Sequence, residues 1–211
     1  MAPIAGKARL WPLAAIAMLI AAASGTSTEA GPQAAGAGSM MTGGLTSQPI
    51  GHYEFCRATP AECVIRPRDR GPERMTEAKW AAVARINVAV NKAVKPMNDI
   101  DIYGKDEVWA YPDLGVGDCE DYVLEKRRQI AGTGISLANL LITVVRKPDG
   151  EGHAILTLRS DRGDYVLDNL HDELRPWFDT GYRFLKRQAS NHTGRWVSLR
   201  EDQNMLVGAL K

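Results

Sequence analysis

The chain of 211 residues carries 26 basic and 25 acidic side chains, a formal net charge of +1, with no long basic stripe. That balance excludes the electrostatic footprint of a nucleic-acid-binding protein. Three cysteines are an odd number, so any pairing within the chain leaves one thiol over.

The N-terminus, MAPIAGKARLWPLAAIAMLIAAASG, sets Lys7 and Arg9 ahead of an uncharged run from Leu10 to about Ala23, followed by small residues. This is the pattern of a secretory signal peptide over 1–23. The apolar run is shorter than the ~20 residues of a span, and an uncleaved N-terminal membrane anchor is the alternative. Residues 24–51 are Gly, Ala, Ser and Thr with few large apolar side chains, a composition that reads as a flexible leader. The folded part is expected at 52–211, roughly 160 residues, enough for one domain with its own core.

In FCRATPAEC, Cys56 and Cys63 stand close enough to close a small loop. In an exported chain disulfides persist, so these two are expected to pair, leaving Cys119 free. The alternative is two ordinary buried thiols, and zinc is disfavoured because no second Cys/His pair stands nearby at ligand spacing.

Thr76 followed by EAKWAAVARINVAVNKAV predicts a helix, with Trp80, Val83, Val90 and Val94 on one stripe and Pro96 as its stop. A second helix is predicted from an Asp118 cap to about Gly132, with Asp121 completing a capping-box-like pair. Its acids lead and Lys126, Arg127 and Arg128 follow, the order the helix dipole favours. Cys119 falls in its first turn, where free N–H groups favour a thiolate while Asp118, Glu120 and Asp121 oppose one. An imidazole is the usual source of the remaining push, and a buried structural cysteine is the alternative. Trp109 and Tyr111 stand just upstream as candidate cleft walls or as ordinary core.

NLLITVVR (139–146), HAILTLRS (153–160) and DYVLDNL (164–170) are β-type runs separated by the turn signals KPDGEG and DRG. YRFLKRQ and RWVSLR predict further strands, giving helices first and an antiparallel sheet after, an α+β fold. Of the histidines, His52 borders the leader, His171 follows the third run and His192 lies in a turn-like SNHTG, whereas His153 opens a strand after a turn. His153 is therefore the candidate base. Pairing Ser160 with Tyr165 sets Asp168 opposite Thr157, on the face of His153 but about 13 Å along the strand. Asp168 is the candidate third group, with Asp172, opposite His153 in that register, as the fallback. The NHT sequon at Asn191 is read as chance.

GDCEDY on a helix, GHAILTLRSDRGDYVLDNL on strands, RPW, GYRFLKRQ and the upstream FCRATPAEC together resemble the bacterial transglutaminase-like cysteine proteinases, a papain-like clan. The resemblance covers about 52 to 200. It implies a papain/transglutaminase-like core and a triad of Cys119 as nucleophile, His153 as general base and Asp168 as orienting acid. It further implies a periplasmic or secreted endopeptidase acting through a thioester on a polypeptide, such as a surface adhesin released from biofilm cells, and a membrane regulatory receptor. Acids matching Asp118 and Glu120 bind calcium in that group. Two other classes remain open on these residues: a transglutaminase or amidase using the same triad, and a non-catalytic binding module.

Overall fold

The computed structural model describes residues 1–2 and 38–200. The signal segment read at 1–23, beyond its first two residues, and most of the leader lie outside the described residues. Among the described residues no helix is long and apolar enough to cross a membrane.

The chain runs β1 (Thr42–Thr46), α1 (Ile50–Ala58), α2 (Pro60–Cys63), α3 (Glu77–Ala93), β2 (Lys95–Pro96), α4 (Asp99–Tyr103), β3 (Val116–Gly117) and α5 (Cys119–Gly132). It continues through β4 (Leu140–Arg146), β5 (Gly152–Ser160), β6 (Gly163–Leu167), β7 (Arg175–Pro176), β8 (Arg183–Ala189) and β9 (His192–Leu199). Seven strands form one antiparallel sheet in the order β1-β9-β8-β4-β5-β6-β7, an α+β fold as the strand runs predicted.

The alternation along β5 explains how the sheet is buried. Ala154, Leu156 and Leu158 join Val83, Val123, Leu124 and Ile130 of α3 and α5 in the larger core, while Ile155 joins Val166, Trp177 and Phe184 in a second cluster. A sheet buried on both sides has strands that read as continuous apolar runs, as β4 does.

The domain begins earlier than the sequence indicates. β1 lies inside the stretch read as leader and pairs with β9, with Thr46 opposite Trp196. An edge strand is held by main-chain hydrogen bonds and needs few large side chains. Met40 adds an anchor, its N–H donating to Asp164 Oδ2 at 2.9 Å. The Cys56–Cys63 disulfide ties α1 to α2 with Cα atoms 5.5 Å apart, and Cys119 is the free cysteine.

Thr76 caps α3 as predicted, its hydroxyl accepting from the Lys79 N–H. Asp118 occupies the N-cap of α5 without making a side-chain cap hydrogen bond, and Asp121 accepts instead from the Ala110 N–H at 2.8 Å. The capping box is thus corrected: these carboxylates are turned towards the 99–110 segment. β2 and β3, a short parallel pair, fix the approach to α5. Gly117 is required there, since a Cβ would come within 2.6 Å of Asp121 Oδ2.

Candidate active site

Cys119 opens α5, and its Sγ lies at the start of β5, where the Ala154 N–H donates to it at 3.4 Å. On its other side the thiol donates to Glu120 Oε2 at 3.0 Å. Burial first, and then the charge of Glu120 and this hydrogen bond, push the thiol well above its ordinary range. The helix start alone therefore does not make a nucleophile of this cysteine.

His153, buried at the start of β5, shares a cleft of about 650 Å³ with Cys119, Asp118, Met97, Lys147 and Leu170. Its Nε2 bonds Asp168 Oδ1 at 2.9 Å. Asp168 also accepts the Leu170 N–H on Oδ1 at 3.0 Å and the Tyr182 hydroxyl on Oδ2 at 2.7 Å. Burial pushes this carboxyl up, but the hydrogen bond and charge of His153, then Leu170 and Tyr182, outweigh it and hold Asp168 at about 2. An ionised Asp168 keeps the proton on Nε2 and leaves Nδ1 as the basic nitrogen.

The register explains why Asp168 reaches His153. The turn after β5 is tighter than the sequence reading assumed, because Ser160 pairs with Gly163, a glycine at φ 109°. Leu156 opposes Leu167, and one further pair sets Asp168 beside Ile155. The gap to His153 shrinks from four residues to two, about 7 Å, within side-chain reach. Asp172 lies elsewhere, its Oδ1 accepting from Asn91 Nδ2 at 3.0 Å.

The other histidines serve the fold. His52 is buried between Trp109 and Trp196, accepts the Trp196 Nε1–H on Nδ1 at 3.2 Å, and is pushed down to about 3 by burial and then by Arg127. His192 Nδ1 accepts the Gly194 N–H at the start of β9, and the His171 carbonyl accepts from Asn87 and Asn91. Trp109 packs in the core and Tyr111 stacks under Arg128 at 4.2 Å, so core packing is their place rather than a cleft wall.

Beside Cys119 stand more carboxylates than the sequence indicated. Asp99, Asp118 and Asp121 bring oxygens within 4.8 Å of one another, and Asp99 Oδ1, Asp118 Oδ1 and Asp121 Oδ2 are buried without a hydrogen-bond partner. Burial pushes Asp121 up to about 7 and, with the charge of Asp118, Glu120 up to about 9. Such a cluster fits a hard divalent cation, whose oxygen ligands stand about 2.3–2.6 Å from it. Asp118 is common to this set and to Glu120, while Asp99 and Asp121 were missed as candidates.

A helix-borne cysteine beside a histidine–carboxylate pair on an antiparallel sheet defines a cysteine peptidase of the papain/transglutaminase-like class. More narrowly, the chain belongs to the bacterial transglutaminase-like cysteine proteinase family, whose model matches residues 42–204. Among solved structures, Legionella pneumophila LapG is similar at 20% identity, covering 60% of this chain and 71% of that one with a TM-score of 0.49. Calcium-bound LapG from the same organism is similar at 17% identity over 78% and 93%, also at 0.49. Curated proteins gave no match.

Proposed function

We propose that the chain is an endopeptidase acting outside the cytoplasm, cleaving a polypeptide through a thioester on Cys119. The observation that carries this is the His153 Nε2–Asp168 Oδ1 hydrogen bond of 2.9 Å in the cleft that Cys119 opens onto. His153 Nδ1 takes the Cys119 proton. The thiolate then attacks the scissile carbonyl, and the C–N bond breaks as the imidazolium returns that proton to the leaving amine. Water, deprotonated by His153, releases the acid and restores the thiol. The Cys119 N–H, free at the helix start, is a donor to the oxyanion.

Asp99, Asp118 and Asp121, with Glu120 bordering Asp118, are the residues that would hold calcium. Bound there, the ion supplies positive charge that cancels the carboxylate field opposing the Cys119 thiolate. The substrate class we put forward, from the family resemblance, is a large surface adhesin, with a membrane receptor as regulator and residues 1–23 as export signal.

Product analysis tests the reaction class. Incubating the calcium-loaded protein with an unstructured polypeptide is expected to yield shortened chains with new N-termini by mass spectrometry. Cross-linked product or released ammonia, without chain scission, would show that an amine or small amide serves the thioester instead.

A further inference from the structure

Tyr182 stands half-buried just before β8. Its N–H donates to Thr180 Oγ1 at 3.3 Å, and that hydroxyl donates in turn to the Trp177 carbonyl at 2.8 Å, so the backbone here is held without help from the phenol. The ring packs against the second core cluster, a place that a phenylalanine of the same shape would fill. The hydroxyl does more. It donates to Asp168 Oδ2 at 2.7 Å, while Oδ1 takes the His153 Nε2 at 2.9 Å and the Leu170 N–H at 3.0 Å. Both carboxylate oxygens are thus occupied, and the group cannot turn about its soft terminal torsion without breaking a bond at one end. The Tyr182 ring meets the other partner, its centroid 5.8 Å from that of His153 at 75°, the edge-to-face arrangement that aromatic pairs prefer. One side chain from a third segment therefore contacts both members of the pair, and it lies outside the residues that line the cleft. Its charged neighbours besides Asp168 are Asp149, paired to Lys147, and Arg175, whose guanidinium donates to the Asp179 carbonyl. Burial first, then the hydrogen bond and charge of Asp168, outweigh Arg175 and push the phenol further above its ordinary range, so the hydroxyl is a donor at neutral pH.

We propose that Tyr182 is a positioning residue for this peptidase, its hydroxyl fixing the Asp168 carboxylate and its ring fixing the imidazole, so that His153 Nδ1 stays presented to the cleft. The inference rests on the triad reading above and adds the group that holds the histidine–carboxylate pair in place. Turning the carboxylate breaks the bond to Oδ2, and swinging the imidazole out of line loses the ring contact. A misplacement of about 1 Å at a reacting group costs on the order of 10²-fold in rate, so a phenol that holds this pair acts on kcat without touching the substrate.

The test is kcat and KM for a cleavable peptide at saturating calcium, well below the thermal midpoints, for the wild type, Tyr182→Phe, Asp168→Ala and the double variant. Tyr182→Phe keeps the ring and removes the hydroxyl. It is expected to lower kcat about tenfold, the scale of one hydrogen bond to a charged group, with KM unchanged. In Asp168→Ala the hydroxyl has no carboxylate to hold, so adding Tyr182→Phe there is expected to change kcat by less than about twofold, the mark of a coupled pair. Wild-type kcat in Tyr182→Phe would reduce the residue to core packing and overturn the inference. So would a loss that appears in KM, or one that repeats in full on the Asp168→Ala background. Should Asp168→Ala fail to fold, kcat and KM of Tyr182→Phe decide alone. A wild-type protein whose Cys119 alkylation ignores His153→Ala overturns the triad reading, and this inference with it, by a separate measurement.

Discussion

His153→Ala is expected to lower kcat for peptide hydrolysis by about 10²–10⁴-fold, the range that a positioned general acid and base contributes, with KM changed little. The reason lies in which bonds the imidazole makes. Its Nε2 is committed to Asp168, so in the proposed mechanism Nδ1 is the atom that would take the Cys119 proton and later return it to the amine. Without that group the thiol stays protonated, since burial and Glu120 both disfavour the thiolate. Asp168→Asn is expected to cost less. It keeps the shape of the pair but removes the charge that steadies the imidazolium, and its amide would favour the wrong tautomer. Initial rates with a cleavable peptide measure both, and a His153→Ala enzyme retaining more than about a tenth of wild-type kcat would be incompatible with the assigned role.

Chelation is expected to have the second large effect. With calcium at about 100 times its dissociation constant, the folded state gains about 2.7 kcal/mol. For a domain of this size that corresponds to a rise of roughly 5–10 °C in the thermal midpoint. The stabilisation comes from three buried carboxylate oxygens that the protein itself leaves unpaired. Peptide hydrolysis is expected to fall with the midpoint when EGTA is added and to return with excess calcium. Asp118→Asn and Asp121→Asn should each blunt both responses, whereas Asp113→Asn, on an exposed carboxylate paired to Arg128, should not. Equal midpoints and rates in EGTA and calcium would remove the ion from the account.

The parts of this fold legible in the sequence were those written in periodicity and turns. Thr76 and the apolar stripe after it mark α3, and the strand runs at 139–146 and 153–160 match β4 and β5 within a residue. The positions of Cys119 at a helix start and His153 at a strand start were legible for a related reason, as both are local features. What the sequence hid depends on contacts distant in the chain. β1 is glycine-rich, and its place is decided by β9, some 150 residues later. Asp168 was placed on the right face but too far along, because the register turned on whether a four-residue or a two-residue turn joined β5 to β6. The two choices keep the same parity, so the alternation of side chains does not tell them apart. Asp99 meets Asp118 and Asp121 only once β2 and β3 have paired. Tyr182 reaches Asp168 from the segment before β8, and no local pattern marks it. Lys126 sits in the basic run Lys126–Arg127–Arg128, which reads as a solvated helix end, yet the first two of these are buried.

The most direct measurement is the rate of iodoacetamide alkylation at Cys119 from pH 4 to 9, in saturating calcium, for the wild type and His153→Ala. Cys119 is the free cysteine, so the label reports one site. The expected result is fast alkylation extending well below the ordinary thiol pKa of about 8.5, abolished in the variant. A single rise centred at or above that value, the same in both proteins, would contradict the thiolate–imidazolium pair on which the proposed chemistry depends.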